Sequence, residues 1–193
     1  MILNLRGTCG SGKSFAGFYL INNYPAREIY EDGWNKTKTK HIGYELPGNL
    51  FVLGRYYEGI TTGGVDGFPA PKVFDAIARY ARIGHVFVES LFLSSSVAPW
   101  EPLIKEFGTD LTIAFLDTPV ERCIESTYAR KGFTTQLKED AIRQHHKGLG
   151  RLKDRLVQRV LDGELFKIAI VPRERSVESC LRLLHDGGWK EKK

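Results

Sequence analysis

A three-layer α/β/α sandwich built on a parallel central sheet is the fold class this sequence predicts, and three features predict it. Residues 7–14, Gly-Thr-Cys-Gly-Ser-Gly-Lys-Ser, fit G-x-x-x-x-G-K-[ST], with a short apolar strand before the loop and a helical pattern after it. Apolar strand-like runs then alternate with helix-like segments along the chain, the pattern of strands covered by helices on both faces. The run Val86-Phe87-Val88 is apolar at every position rather than at every second one, as expected of a strand buried on both sides.

The elements follow in order. Met1–Leu5 reads as the first strand, and Lys13–Asn22 as a helix carrying Phe15, Phe18, Tyr19 and Ile21 until Asn22-Asn23-Tyr24-Pro25 breaks it. Arg27–Tyr30 reads as a short strand and Glu31–Lys40 as a polar loop. His41–Glu45 with Asn49–Leu53 reads as a hairpin or paired strand ends around Pro47-Gly48. Gly54–Gly67 is a second glycine-rich loop, and loops of this length within a domain are often functional. Pro71 opens a helix to about Arg82, with Val73, Phe74, Ile77, Ala78 and Ala81 on one face. His85–Ser90 follows as a strand. Ser94–Ser96 lead into a helix through Phe107, and Leu111–Leu116 is the next strand. Thr118-Pro119-Val120-Glu121 is a capping box for a helix to about Arg130. A long polar helix or helix pair, broken near Gly148-Leu149-Gly150, precedes strand Leu165–Val171 and a last helix from Ser176 to His185.

Composition bounds the class. With 193 residues, 42% hydrophobic and 26% charged, residues 1–193 are expected to form a single globular domain. Cys9, Cys123 and Cys180 are far apart and odd in number, which indicates neither a disulfide framework nor a zinc site and suits a reducing cytoplasm. The sequence has neither a basic leader nor a long apolar run, so no signal peptide, membrane span or membrane partner is expected. The formal net charge is +5. Between Arg143 and Arg159 stand six Lys or Arg against Asp154 alone, so one segment matches the whole surplus. That segment reads either as a solvated helix face or as a surface for phosphate or nucleic acid.

The loop at 7–14 is the phosphate-binding loop, an anion cradle of backbone N–H groups at a helix N-terminus. Gly7, Thr8, Cys9, Gly10, Ser11, Gly12, Lys13 and Ser14 would bind a nucleotide. Lys13 would reach the β- and γ-phosphates and the Ser14 hydroxyl a magnesium ion. Cys9 reads as a passive loop residue, since no His or Cys lies beside it, with a reactive thiol as the other reading. Glu89 ends a strand where ligands bind in open α/β sheets, and Asp66 lies in the glycine-flanked loop. His145-His146 are adjacent, which is not helical metal-ligand spacing.

The loop motif alone does not name a reaction. No Asn-Lys-x-Asp guanine signature is present and no Leu-Ser-Gly-Gly-Gln-like segment, which sets aside GTPases and transporter ATPases. Leu116-Asp117-Thr118-Pro119-Val120-Glu121-Arg122, followed by Arg130-Lys131-Gly132, resembles nucleoside and nucleotide kinases. In those proteins the next helix leads into an arginine-bearing lid, here about 130–160. The resemblance implies that Arg122 and Arg130 clamp phosphoryl oxygens, as spread negative charge in a transferring phosphoryl group requires; for Arg122 a surface ion pair is the other reading.

Three segments carry a closer resemblance: Val52-Leu53-Gly54-Arg55-Tyr56 leading to Thr62-Gly63-Gly64-Val65-Asp66, then Gly84–Ser90, then Phe115–Pro119. Together they are similar to bacteriophage phosphate-loop kinases that include the 5-hydroxymethyluracil DNA kinases. The likeness covers residues 1 to about 131, and Ser90 stands where that pattern has glycine. It implies an ATP- and Mg²⁺-dependent kinase acting on the hydroxymethyl group of 5-hydroxymethyluracil in phage DNA, a step in thymine hypermodification, in the host cytoplasm.

On that reading one carboxylate faces the acceptor hydroxyl and another organises magnesium with Ser14. Asp66 is favoured as the base and Glu89 as the metal organiser, with the exchanged assignment open. Arg55, Tyr56 and Tyr57 would hold a DNA phosphate and stack a base, core packing of one tyrosine being the rival. The other classes in play are a kinase for a free nucleoside, nucleotide or small metabolite, and a nucleotide-dependent switch.

Overall fold

The computed structural model describes residues 1–35, 38–56, 63–131 and 136–191. Its elements in chain order are β1 (Ile2–Arg6), α1 (Lys13–Asn23), β2 (Arg27–Asn35), β3 (Lys38–Leu46), β4 (Leu50–Leu53), α2 (Ala70–Ala81), β5 (His85–Glu89), α3 (Glu101–Phe107), β6 (Leu111–Asp117), α4 (Val120–Lys131), α5 (Gln136–Leu161), β7 (Lys167–Pro172) and α6 (Ser176–Asp186). Among the described residues the strands form one sheet in the order β2-β3-β4-β5-β1-β6-β7.

From β4 to β7 the sheet is parallel, with β1 central between β5 and β6. The alternation of side chains along each strand sorts the apolar residues into two layers. Ile2, Val86, Val88 and Ile113 pack beneath α2, α3 and α5. Leu3, Leu5, Phe87 and Ala114 pack beneath α1 and α6. This double burial explains why β5 is apolar at every position. It also brings the carboxyl ends of β1 and β5 side by side, Leu5 opposite Glu89, at the edge where the phosphate loop begins.

Four expectations are revised. The sheet is mixed, because the turn between β3 and β4 is too short for anything but chain reversal, so β3 runs antiparallel to β4 and to β2. The segment Glu31–Lys40, expected as a polar loop, is mostly strand. Glu31 pairs with Lys40 and Asn35 with Lys38 through backbone bonds that a polar sequence at a sheet edge supplies as well as an apolar one. The helix expected from Ser94–Ser96 is delayed to Glu101 by 3-10 turns at Phe92–Ser94 and Ala98–Trp100. Pro99 and Pro102 lack the N–H a continuous helix needs, and each sits in the first turn of its element, where that loss is tolerated.

The fourth concerns α5, one helix of 26 residues with no break at Gly148 or Gly150. Both glycines keep helical backbone, and Leu149, Leu152 and Leu156 anchor that stretch in the core. A Cβ at Gly150 would meet nothing within 4 Å. Gly150→Ala should therefore stabilise the protein by about 1 kcal/mol, the helix-interior difference between the two residues, read as a higher urea midpoint at unchanged slope.

Candidate active site

The phosphate loop runs from the end of β1 to the first turn of α1 and is closed by Ser11 N–H donating to Thr8 O (3.2 Å) and Phe15 N–H to Gly12 O (3.1 Å). Its shape needs glycine at position 10, where φ is +78° and a Cβ would come within 2.1 Å of the Cys123 carbonyl oxygen. Thr118 Oγ1 donates to Ser11 O (3.0 Å), so the start of α4 braces the loop. Lys13 Nζ donates to the Gly7 (2.8 Å) and Thr8 (3.1 Å) carbonyls. Burial lowers the Lys13 pKa, opposed by the negative charges of Glu89 and Asp66.

Glu89 emerges from β5 with 1% of its surface exposed. Ser14 Oγ donates to its Oε1 at 2.8 Å, and the Tyr56 hydroxyl donates to the same oxygen at 3.3 Å. Gly63 N–H in turn donates to Ser14 Oγ (3.1 Å). Burial raises the Glu89 pKa, against the pull of Lys13 and Ser14. The second glycine-rich loop closes on this group through Gly64, whose φ is +87° and whose Cβ would lie 2.4 Å from Glu89 O. Two residues on, the Asp66 carboxylate accepts from Ser90 Oγ (2.6 Å) and from Leu91 N–H (3.1 Å to each oxygen).

Lys13, Ser14, Asp66, Glu89 and Arg130 thus meet on one cavity of about 400 Å³, with Cys9, Gly10 and Gly12 in its wall. Gly7, Thr8 and Ser11 lie outside that wall. Thr8 Oγ1 faces His145 Nδ1 at 2.8 Å and Ser11 Oγ is buried beneath the loop. Arg122 is not brought to the site: it pairs with Glu125 at 2.9 Å and its side chain is 61% exposed. Arg55 holds its own loop, donating from Nη2 to Asp66 O (3.0 Å). Tyr56 is 1% exposed with its ring against Phe18, so its face is spent on packing rather than open to a base. Tyr57 and Gly132 lie outside the described residues.

The cavity also contains residues that sequence reasoning passed over. Arg173, after β7, reaches Gly10 O (3.1 Å) and Ser126 Oγ (3.0 Å), and no motif marks it. Phe15, 66% exposed, is an open aromatic at the mouth; its position directly after the loop serine was the available signal.

Among the described residues no three His, Cys, Asp or Glu side chains cluster as a metal cage. Magnesium does not need one, since it takes one or two protein oxygens together with phosphates and waters. The hard-oxygen pair of Ser14 Oγ and the Glu89 carboxylate fits that ion. No helix among the described residues is long and apolar enough to cross a membrane.

No family model matches the chain. A 5-hmdU DNA kinase of Pseudomonas phage M6 is 29% identical over 172 residues, covering 84% of this chain and 87% of that protein. A 5-hmdU DNA kinase of Pseudomonas phage PaMx11 is 32% identical over 136 residues, 67% of this chain and 69% of that one. The chain belongs to this kinase family. The 5-hmdU DNA kinase 1 of Salmonella phage ViI is 26% identical over 160 residues, 75% of this chain and 70% of its own length. A gluconokinase from Sinorhizobium meliloti 1021 superposes with a TM-score of 0.50 at 16% identity, covering 95% of this kinase and 93% of that structure, a likeness of fold. The protein is a P-loop phosphotransferase.

Cys9 is the most reactive thiol this geometry offers. Its burial opposes ionisation, but donation from Thr127 Oγ1 (3.6 Å) and Arg130 Nη2 (3.3 Å) brings its pKa below the ordinary thiol value. Burial pushes Cys123 up to about 11 and Cys180 up to about 12. Iodoacetamide at neutral pH should modify Cys9 first, and a bound nucleotide should protect it. Peptide mapping that finds Cys123 or Cys180 labelled ahead of it would contradict this electrostatic account.

Proposed function

We propose that this kinase moves the γ-phosphoryl group of ATP to the hydroxymethyl oxygen of 5-hydroxymethyluracil in DNA, working as one domain with residues about 130–160 as its lid. The observation that carries the reading is the pair of carboxylates in unlike settings on one cavity. Glu89 is buried and bonded to the serine of the phosphate loop. Asp66 is half-buried on the same cavity, ordered by Ser90 and Leu91. The names of the relatives supply the acceptor, and the geometry agrees with an alcohol acceptor.

The loop N–H groups and Lys13 would hold the phosphates, Lys13 leaving the Gly7 and Thr8 carbonyls to do so. Ser14 and Glu89 would hold magnesium, whose charge offsets that of the β- and γ-phosphates. Asp66 accepts the acceptor's hydroxyl proton as the new oxygen–phosphorus bond forms and ADP leaves with the electrons of the broken bond. Arg130 and Arg173 face the same cavity, where they would stabilise the transferring group. The target base, extruded from a duplex, would meet Phe15 rather than the buried Tyr56.

The test is transfer of labelled γ-phosphate from ATP, with magnesium, to DNA containing 5-hydroxymethyluracil, to unmodified DNA and to free nucleosides and nucleotides. Label is expected in the modified DNA alone; label in a free nucleoside with DNA blank overturns the reading. Lys13→Ala should abolish transfer. Glu89→Gln should lower turnover by about 10²-fold or more. Because burial raises the Glu89 pKa and the ionised form is needed, wild-type activity should fall on acidification at a pH above the ordinary carboxylate range. A profile flat down to that range would separate Glu89 ionisation from turnover.

A further inference from the structure

The basic stretch 143–159 divides once its partners are named. Arg143 donates to Glu121 at 2.9 Å. Arg159 donates to Glu101 (2.7 and 2.9 Å) and Glu164 (2.6 Å). Those two cations are matched by acids. Lys147, Arg151 and Arg155 are exposed, make no ion pair among the described residues, and recur every four residues on α5, about 6 Å apart along the axis.

Arg151 and Arg155 also line a cavity of about 740 Å³, larger than the active-site cavity, between α5 and the segment that follows β5. Ser95, His145, Gly148 and Leu149 complete its wall, with Asp154 as an acid beside the two arginines. Nothing in the fold requires glycine at position 148. Its φ is not positive and a Cβ there would meet nothing within 4 Å. Glycine costs a helix interior about 1 kcal/mol relative to alanine, and what it provides here is open space on the cavity wall.

The cavity adjoins the reacting centre at two points. His145, in its wall, contacts Thr8 of the phosphate loop at 2.8 Å. Leu91 lines the active-site cavity and Ser95 this one, with a single 3-10 turn between them. The active-site cavity, at about 400 Å³, has room for a nucleotide's phosphates and an acceptor group, so the rest of a polymeric acceptor must lie elsewhere.

We propose that the cavity between α5 and residues 91–97 holds the phosphodiester backbone of the DNA strand flanking the target nucleotide, Arg151 and Arg155 neutralising two phosphates and Lys147 extending the track. This rests on the DNA acceptor reading above. Paired guanidinium groups suit successive phosphodiesters, and a ligand held by charge is released by salt.

The experiment is fluorescence anisotropy of a labelled oligonucleotide containing 5-hydroxymethyluracil across a salt series, with steady-state kinetics on the same DNA. Arg151→Ala/Arg155→Ala should raise the DNA KM at least tenfold and leave the KM for ATP within twofold. Its slope of log affinity against log salt should be shallower by about 1.4 to 1.8, the loss of two phosphate contacts. Gly148→Gln, which projects into open space, should keep or raise the thermal midpoint while weakening DNA binding. DNA affinity and salt slope equal to wild type in both variants overturn the assignment, as does an equal rise in both Michaelis constants. If wild type phosphorylates DNA and the variants match it, only the cavity assignment falls; if wild type neither binds nor phosphorylates DNA, the acceptor reading falls with it.

Discussion

Burying the Glu89 carboxylate is the constraint on which the reacting end of this kinase depends. An anion with almost no exposure is tolerated only where donors and a cation surround it, and Lys13 and Ser14 at the start of α1, with Tyr56 after β4, do so from two parts of the chain. Each partner constrains the backbone in turn. Tyr56 can lie against α1 only because position 17 is glycine, where a Cβ would be 2.2 Å from the ring. The second glycine-rich loop must come close enough for Gly63 N–H to meet Ser14 and for Val65 N–H to reach Glu89 O at 3.2 Å. The same contacts bring Asp66 to the cavity, where Ser90, the residue after Glu89, holds its carboxylate.

The phosphate loop is tied just as closely to the helices after β6. Gly10 lies on the Cys123 carbonyl, Cys9 accepts from Arg130, and adjacent histidines of α5 contact Thr8 and the Thr118 carbonyl (His146, 3.0 Å). Adjacency, which argues against a metal site, suits this bridging task, since neighbouring side chains on a helix diverge by about 100° and reach two different segments. A nucleotide in the loop and a ligand against α5 would therefore act on shared side chains. Cys9, read from sequence as a passive loop residue, gains its character chiefly from Thr127 and Arg130, more than a hundred positions away, with a smaller contribution from the Lys13 charge.

Legibility followed the range of the forces involved. The loop motif, the strand before it, the helix after it and the all-apolar β5 are local patterns, and the structure has them in place with boundaries shifted by a residue or so. The same reading took Gly148-Leu149-Gly150 for a break, because local propensity disfavours glycine in a helix, whereas Leu149, Leu152 and Leu156 carry α5 through by tertiary burial. It took polar Glu31–Lys40 for a loop, because a strand held by backbone pairing at a sheet edge shows no apolar alternation. The resemblance assigns Arg122 and Arg130 one clamping role, eight residues apart on one helix, with a surface ion pair as the rival for Arg122. Their faces differ, so one pairs with Glu125 in solvent and the other points at the loop.

The amino-acid sequence by itself determined the class of protein and the kind of ligand. A glycine-bearing phosphate loop between strand and helix is a local structure whose backbone N–H groups face an anion wherever the motif folds. Tertiary structure alone decided which of the candidate side chains reach that site and which others join them. Arg173 arrives from the connection after β7, Arg122 is left in solvent, and Tyr56 is turned inward while Phe15 stays open. These outcomes depend on strand order and on which face of each helix meets the core. Contacts between residues dozens of positions apart set both, and no local pattern records them.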